Sequence, residues 1–502
     1  MTAGSGARTR STRVPDRICA NASWPGAPSR ERIVCTSGPP PPRWCRPSTS
    51  RSDAGGGSLT ATSGRPRPLE VAGTSRTGGH RCPRQVPRPT GRGRKEGVAD
   101  PGDFSFERLR RRPDVEAPNL FAVDAADRLL LDTAADALTS AAPGEVVVIG
   151  DNYGGLTLGA AALYGVRGMR VHQDPVTAER ALAANAAGSG LADAFESFDL
   201  VPGLVDGANV VLLRLPRSLD ALAEVAQLVA AHASADVTVY AGGMVKHLTR
   251  AMNDVLLASF ASVRAGLARQ KARVLTVEGA APEGRLGLPG DEAPADPAAP
   301  EGRFGRQSEW PRREYHADLG LWVCAHGAAF AGTSIDIGTR FLLTVLAAAR
   351  PDARTAIDLG CGTGVIAASL ARARPGIHVI ATDQSAAAVA SARETMLANG
   401  VADRVDVVRD DALSAQPASS AELIVVNPPF HIGAAVHAGA ALKLFDDAAR
   451  VLEPGGELWA VWNSHLGYRT PLERIVGPTT QVARNAKFTV TRSVRRNESS
   501  GR

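Results

Sequence analysis

Cysteine, aromatic residues and long apolar runs are all scarce in this 502-residue chain. Of its six cysteines, only Cys324 and Cys361 lie beyond residue 100, which argues against a disulfide framework and for a reducing compartment. No stretch approaches the roughly 18 continuous apolar residues of a membrane-spanning helix. We therefore expect a soluble, cytoplasmic protein that makes no membrane contact. We also expect it to be a monomer.

Acidic residues are scarce only in the first fifth of the chain. Residues 1–97 hold 18 Lys and Arg against 5 Asp and Glu, whereas the remainder holds 39 basic and 46 acidic residues. Segment 1–100 is rich in Arg, Pro, Gly, Ser and Thr without apolar periodicity, which predicts disorder because too little surface can be buried. It could be a nucleic-acid-binding arm, a targeting sequence or the product of a start codon assigned too far upstream. The four cysteines of this segment have irregular spacings that suit no metal site: Cys19, Cys35, Cys45 and Cys82.

Strand-like runs alternate with Ala- and Leu-rich helical patterns in two regions, 104–278 and 313–498. In each region this alternation predicts a parallel sheet covered by helices, which is an α/β Rossmann-like fold. Residues 279–312 are rich in Pro, Gly and acidic residues and predict a linker.

The second region repeats the first. Three pairs of landmarks recur at separations of 210, 209 and 212 residues: Gly150 and Gly360, Asp174 and Asp383, Pro216 and Pro428. Such nearly constant separations indicate an internal duplication. The first copy has Val148 where the second has Asp358, and "LPRS" where the second has "NPPF". We therefore expect substrate binding or support from the first copy and chemistry from the second.

A glycine loop follows the first strand of the second region. The stretch "DLGCGTG" places Asp358 before Gly360, Gly362 and Gly364, and glycine permits positive φ and close approach of a ligand to the backbone. Taken alone, such a loop could equally be a tight turn.

Two acids follow the next two strands. Asp383 can accept hydrogen bonds from ribose hydroxyls, and Asp411 is a candidate acceptor for an adenine amino group. Because the carboxyl ends of parallel strands share one edge, loop and acids together predict a nucleoside site. Asp358 would repel a pyrophosphate but accept hydrogen bonds from an amino group, and the loop lacks the Lys-Ser/Thr of a P-loop. S-adenosylmethionine fits this pattern.

Another predicted strand ends in "NPPFH", residues 427–431. The Asn427 side-chain oxygen and the Pro428 carbonyl can accept the two protons of a planar NH2 group, while Phe430 stacks on its ring. Prolines hold this backbone rigid. The amine nitrogen would face a sulfonium methyl group, so positioning would supply much of the catalysis.

Together these motifs resemble the class I S-adenosylmethionine-dependent methyltransferases. More narrowly, they resemble the bacterial ribosomal RNA guanine-N2 methyltransferases, which pair a degenerate N-terminal methyltransferase-like domain with an active C-terminal one. The resemblance covers about 104–496 and is carried by "FAGTSIDIGTRFLL", "DLGCGTG", "ATD", "NPPFH", "LKLFDDAARVLEPGGELWAVWN" and "ARNAKFTVTRSVRR". It implies two tandem Rossmann-like methyltransferase domains after the disordered segment, and ribosomal RNA or a ribosomal subunit assembly intermediate as partner.

The resemblance also implies individual roles. The cofactor S-adenosylmethionine would contact Asp358, Gly360, Gly362, Gly364, Asp383 and Asp411, and the guanine would contact Asn427, Pro428 and Phe430. His431 could be catalytic or an ordinary loop histidine. Two alternatives stay open: methylation of another planar amine, such as a protein glutamine or adenine N6, and a non-catalytic RNA-binding or ribosome-assembly factor. The last predicts loss of the polar site from both copies.

Overall fold

The computed structural model describes residues 104–281, 310–428 and 434–497. They all belong to one compact unit, Gly91–Arg502. The predicted disordered segment 1–100, most of the predicted linker 279–312, and Phe430 and His431 lie outside the described residues. Among the described helices, none has the length and apolar character needed to cross a membrane.

The first domain is built on a seven-stranded sheet. Its strands are β1 (Val146–Ile149), β2 (Met169–His172), β3 (Phe195–Ser197), β4 (Val210–Arg214), β5 (Thr238–Met244), β6 (Phe260–Ala265) and β7 (Ala272–Ala280). Its helices are α1 (Ala125–Thr133), α2 (Ala135–Ser140), α3 (Gly155–Tyr164), α4 (Val176–Ser189), α5 (Pro202–Val205), α6 (Leu219–His232) and α7 (Arg250–Leu257). The sheet order is β3-β2-β1-β4-β5-β7-β6, in which β7 alone runs antiparallel to its two neighbours.

The second domain begins with a hairpin and then repeats this sheet. Its strands are β8 (Arg312–His316), β9 (Leu321–Ala325), β10 (Thr355–Leu359), β11 (His378–Asp383), β12 (Val405–Arg409), β13 (Ala421–Val426), β14 (Leu452–Asn463), β15 (Thr479–Arg484) and β16 (Phe488–Val494). Its helices are α8 (Ile337–Leu343), α9 (Val365–Ala373), α10 (Ala386–Ala398), α11 (Ala434–Val451) and α12 (Arg469–Ile475). The order β12-β11-β10-β13-β14-β16-β15 matches that of the first sheet strand for strand. The predicted duplication and α/β class are therefore confirmed.

Each sheet is covered on both faces, which explains the continuous apolar runs of its central strands. In β13, Leu423 and Val425 belong to one hydrophobic core, and the alternate residues Ile424 and Val426 belong to another on the opposite face. Strand β1 is divided between two cores in the same way. Two apolar layers thus hold each sheet and fix the edge at which its strands end.

The sheet register corrects the sequence alignment of the two copies. Strands β1 and β2 pair in the same register as β10 and β11, so Gln173 of the first domain occupies the position of Asp383. The expected equivalence of Asp174 and Asp383 is therefore wrong by one residue. A neutral amide thus replaces the acid predicted to bind a ribose.

The two domains contact each other through equivalent turns. Pro175, between β2 and α4, forms an antiparallel bridge with Ser385, between β11 and α10. Two backbone hydrogen bonds flank this bridge, at 2.9 and 2.8 Å: Val176 N to Gln384 O, and Ala386 N to Asp174 O. The bridge thus joins Pro175 to its own counterpart in the second domain, Ser385, which lies 210 positions later. The contact has approximate two-fold symmetry.

Side chains of the first domain support the second domain beside its strand ends. The Asp174 carboxylate accepts hydrogen bonds from Ser385 Oγ and Ala387 N, both at 2.9 Å, at the start of α10. Arg409, at the end of β12, forms a 2.7 Å ion pair with Glu179 of α4. The first domain therefore helps to fix the end of β12 and the start of α10.

Replacing Asp174 should destabilise the protein. Asp174→Ala removes two hydrogen bonds at a helix N-terminus, a loss that costs about 1 kcal/mol and lowers the unfolding temperature by about 2–4 °C. Thermal unfolding followed by fluorescence would measure the shift, with Asp193→Ala as a control because Asp193 is exposed in the same domain. An unfolding temperature equal to that of the control would contradict the role assigned to Asp174.

Candidate cofactor and substrate site

Four neighbouring parallel strands, β12, β11, β10 and β13, end at one edge of the second sheet. Asp411 follows β12, Asp383 ends β11, the glycine loop follows β10, and Asn427 follows β13. The topology therefore brings to one edge the side chains that the sequence predicted to act together. Phe430 lies outside the described residues.

The glycine loop has the predicted backbone conformation. Gly360, Gly362 and Gly364 have φ values of +70°, +53° and +79°, in the left-handed region that glycine favours. A Cβ at Gly364 would lie 2.6 Å from Met396 Cε, whereas no described atom lies within 4 Å of a Cβ built at Gly360 or Gly362. The first two glycines thus leave open space at the sheet edge, and the third permits the start of α9 to pack closely against α10.

Asp358 is fully buried near the end of β10. Its Oδ2 accepts a hydrogen bond from Ala367 N at 2.9 Å, while its Oδ1 has no hydrogen-bond partner within the described ranges. Burial, with a smaller contribution from the nearby Asp383 charge, raises the pKa of the Asp358 carboxyl to about 7. A buried acceptor of this kind is unfavourable until a donor or cation reaches it. It fits the ammonium group of an amino-acid-like ligand.

Asp383 joins the glycine loop to α10. Its Oδ2 accepts a hydrogen bond from Gly362 N and its Oδ1 accepts one from Ser385 N, both at 3.0 Å. Burial raises the pKa of this carboxyl. Each carboxylate oxygen can accept a second hydrogen bond, so the side chain retains capacity for ribose hydroxyls.

Asp411 lies two residues beyond the end of β12, where its Oδ1 pairs with Lys443 of α11. The preceding residue, Asp410, is buried and accepts hydrogen bonds from Asp411 N and Ala415 N, both at 2.8 Å. Asp410 therefore shapes the turn that presents Asp411. Neither Lys443 nor Asp410 was predicted from the sequence, although the repeated acid in "RDD" marks the turn.

The Asn427 amide is held from one side. Its Nδ2 donates hydrogen bonds to Asp336 Oδ2 and to Thr339 Oγ1, both at 3.0 Å. Its Oδ1 is buried without a hydrogen-bond partner among the residues described. Pro428, which follows, is buried. Asn427, which the sequence predicts to bind the substrate, thus retains an unpaired hydrogen-bond acceptor in Oδ1, whereas its Nδ2 is already paired.

Sequence reasoning assigned no role to Asp336 or Thr339. They lie at the start of α8, about 90 residues before Asn427, and Asp336 caps this helix by accepting from Gly338 N at 2.8 Å. The stretch "DIGT" could have indicated a positioning role, because an acid at a helix N-cap is ordinarily held in place by the first turn of its own helix.

The first domain has an ion pair at the corresponding place. Register in β4 and β13 puts Arg214 at the position of Asn427, so the expected equivalence of Pro216 and Pro428 is wrong by one residue. Arg214 Nη1 lies 2.9 Å from Asp124 Oδ1 and 3.0 Å from Asp127 Oδ1, at the start of α1. Arg214 and the two acids thus pair with one another, which agrees with the expected loss of the site from this copy.

The glycine loop of the first domain is also closed on itself. Asp151, in the loop after β1, accepts hydrogen bonds from Gly154 N at 3.0 Å and from Thr157 N at 2.7 Å. Thr157 corresponds to Ala367, whose amide Asp358 binds from within the second sheet. In the first domain the backbone N–H of Thr157 is therefore bound by Asp151 of the loop, and Val148 stands in the strand where the second domain has Asp358.

Comparison with known proteins gives one consistent result. Residues 102–281 match the RLMG N-terminal domain, and residues 320–492 match the methyltransferase small domain. Proteins named ribosomal RNA large subunit methyltransferase G are similar over nearly their whole length. The Streptomyces griseus protein is 35% identical over 78% of this chain and 98% of that protein. The Shewanella amazonensis protein is 32% identical over 77% and 96%, respectively.

A solved structure shares the two-domain fold. It is the T. thermophilus 16S rRNA N2 methyltransferase RsmC in complex with AdoMet and guanosine, with a TM-score of 0.55 and 22% identity. The match covers 78% of this chain and 99% of that one. On the strength of both domain matches and of the full-length relatives, the chain belongs to the ribosomal RNA large subunit methyltransferase G family.

Proposed function

We propose that this protein transfers a methyl group from S-adenosylmethionine to the exocyclic N2 amine of a guanine in large-subunit ribosomal RNA. The observation that carries the proposal is the free Oδ1 of Asn427, a buried acceptor at the same sheet edge as the free Oδ1 of Asp358. The names of the relatives support ribosomal RNA as substrate, and the guanosine complex of the T. thermophilus protein supports guanine.

The second domain supplies a complementary group for each part of the cofactor. Asp358 would receive the ammonium of the methionine moiety, and Asp383 the ribose hydroxyls, while Gly360 and Gly362 allow the loop to approach. Asp411, although paired with Lys443, borders the place expected for the adenine. The cofactor would supply an electrophilic methyl group on a sulfonium.

Asn427 would hold the acceptor base. Its free Oδ1 can accept one proton of the exocyclic amine, and the Pro428 carbonyl can accept the other. A guanine amine is weakly nucleophilic because its lone pair is delocalised, so holding the nitrogen in line with the methyl group lowers the barrier by orientation. Phe430 would complete the pocket by stacking, as the sequence analysis expected.

The rival functions are less well supported. A planar amine on adenine or glutamine would suit the same acceptors, but the relatives are named for ribosomal RNA. A non-catalytic factor has no need for buried free acceptors in its second domain, where they are unfavourable unless a ligand satisfies them. The proposal extends to a monomer acting in the cytoplasm on ribosomal RNA or on a subunit assembly intermediate.

The reaction can be tested on ribosomal RNA itself. RNA from a strain lacking the gene should lose one N2-methylguanosine, and the purified protein should restore it, as measured by mass spectrometry of nuclease fragments. Asn427→Ala should lower the transfer rate at least about 100-fold, because the amine loses its orienting acceptor. Cofactor binding should stay within about twofold of wild type, since other side chains would contact the cofactor.

A matched control is Asn209→Ala. Asn209 precedes β4 in the first domain, where its amide donates to Glu145 Oε1 at 2.9 Å. This variant should retain transfer. An unchanged set of N2-methylguanosines in the deletion strain would reject the proposed reaction, whereas equal loss of cofactor binding and transfer in Asn427→Ala would reject only the role of that residue.

Cofactor affinity should depend on the charge of Asp358. Its carboxyl, with a pKa of about 7, must lose its proton to receive an ammonium group, so affinity rises as the pH rises through 7. Calorimetry should show S-adenosylmethionine binding roughly tenfold more weakly at about pH 5.5 than at about pH 7.5, a range in which an α-amino group stays more than half protonated.

The control for this titration is Asp358→Asn. It should bind the cofactor more weakly at neutral pH and show a flatter pH dependence, because the titrating carboxyl is gone. Identical pH profiles for Asp358→Asn and wild type would assign the effect to other groups, such as Asp383, whose pKa is also raised by burial.

A further inference from the structure

The orientation of the Asn427 amide is determined by its neighbours. Its nitrogen faces Asp336 Oδ2 and Thr339 Oγ1 at 3.0 Å each. An ionised carboxylate has only acceptor atoms, so the amide atom facing it must be the nitrogen. A flipped amide would place Oδ1 against the carboxylate and lose a hydrogen bond. The unpaired oxygen therefore points away from α8 for a chemical reason.

The groups that hold the amide are themselves fixed. Asp336 Oδ2 also accepts from Gly338 N at 2.8 Å and from Thr339 N at 3.2 Å, so the first turn of α8 holds the carboxylate. Thr339 is buried. Neither side chain is free to follow Asn427 if its amide rotates.

The duplicated domain provides an internal comparison. Asp124 and Asp127 stand at the N-cap and third position of α1, as Asp336 and Thr339 do in α8. There the two acids hold the cation of Arg214. Threonine in place of the second acid leaves a frame with one carboxylate and one hydroxyl. Such a frame suits a neutral amide that presents its oxygen outward.

We propose that Asp336 and Thr339 are positioning residues that select which end of the Asn427 amide faces the substrate. With the oxygen outward, the site accepts a base that carries an amino group and opposes one that carries a carbonyl at the same place. This inference deepens the proposed function and rests on it, since the donor it selects is the N2 amine of guanine.

Thr339→Val gives the sharpest test, because valine keeps the size and removes the hydroxyl. With ribosomal RNA from the deletion strain and saturating S-adenosylmethionine, the single-turnover rate should fall about tenfold, the consequence of losing roughly one hydrogen bond. Cofactor affinity by calorimetry should stay within about twofold of wild type. Thr339→Ser restores the hydroxyl and should recover the rate to within about twofold.

A second variant reverses the amide. In Asp336→Asn, the new NH2 group can donate to Asn427 Oδ1 and occupy the acceptor intended for the substrate, so the rate should fall further, about 100-fold. For the threonine-to-valine change at position 339, the matched control is Thr344→Val, because Thr344 follows α8 and donates a hydrogen bond to Phe341 O at 2.7 Å. That control should keep the wild-type rate.

The outcomes separate the inference from the proposed function. Wild-type turnover in Thr339→Val, or parallel loss of cofactor affinity and rate, would overturn the positioning role while leaving guanine methylation intact. Failure of Thr339→Ser to recover the rate would do the same. A wild-type protein that methylates no guanine N2 would overturn both.

Discussion

The site depends on the requirement that a buried acceptor be satisfied. Asp358 and Asn427 each keep one buried oxygen without a partner in the described structure, at the ends of adjacent parallel strands. Buried acceptors of this kind are rare in folded proteins, and a ligand that supplies the missing donors is one reason to keep them. In the proposed function, one oxygen would receive the ammonium end of the cofactor and the other would receive the amine to be methylated. The two open positions would then define where both reactants lie.

The sequence predicted the framework because each part of it leaves a local pattern. Buried parallel strands give apolar runs, and the closely spaced glycines Gly360, Gly362 and Gly364 indicate a loop with positive φ. Contacts between distant segments leave no such pattern. Asp336 and Asn427 are far apart in sequence and meet only because α8 begins beside the end of β13. The error at Asp174 arose because two acids were matched by type, although the copies have equal lengths there and the register aligns Gln173 with Asp383. The error at Pro216 arose because the segment between β3 and β4 is three residues shorter than the segment between β12 and β13.

The two copies show how one scaffold can be used in two ways. Both sheets have the same strand order and both place a capping acid beside the end of the fourth strand. In the first domain Arg214 satisfies that acid internally, and Asp151 closes the loop. Arg214 and Asp151 are thus paired within the first domain, whereas Asp358 and Asn427 each keep an unpaired oxygen in the second. The difference lies in a few side chains at the strand ends.

The symmetric contact of Pro175 with Ser385 has a consequence for the origin of the chain. An interface in which a turn meets its own counterpart is the type formed by two identical subunits. A single-domain ancestor could have assembled through this turn as a homodimer, and tandem fusion would have retained the arrangement. After such a fusion, one half would be free to lose its ligand pocket, because it would still support the other half through this contact.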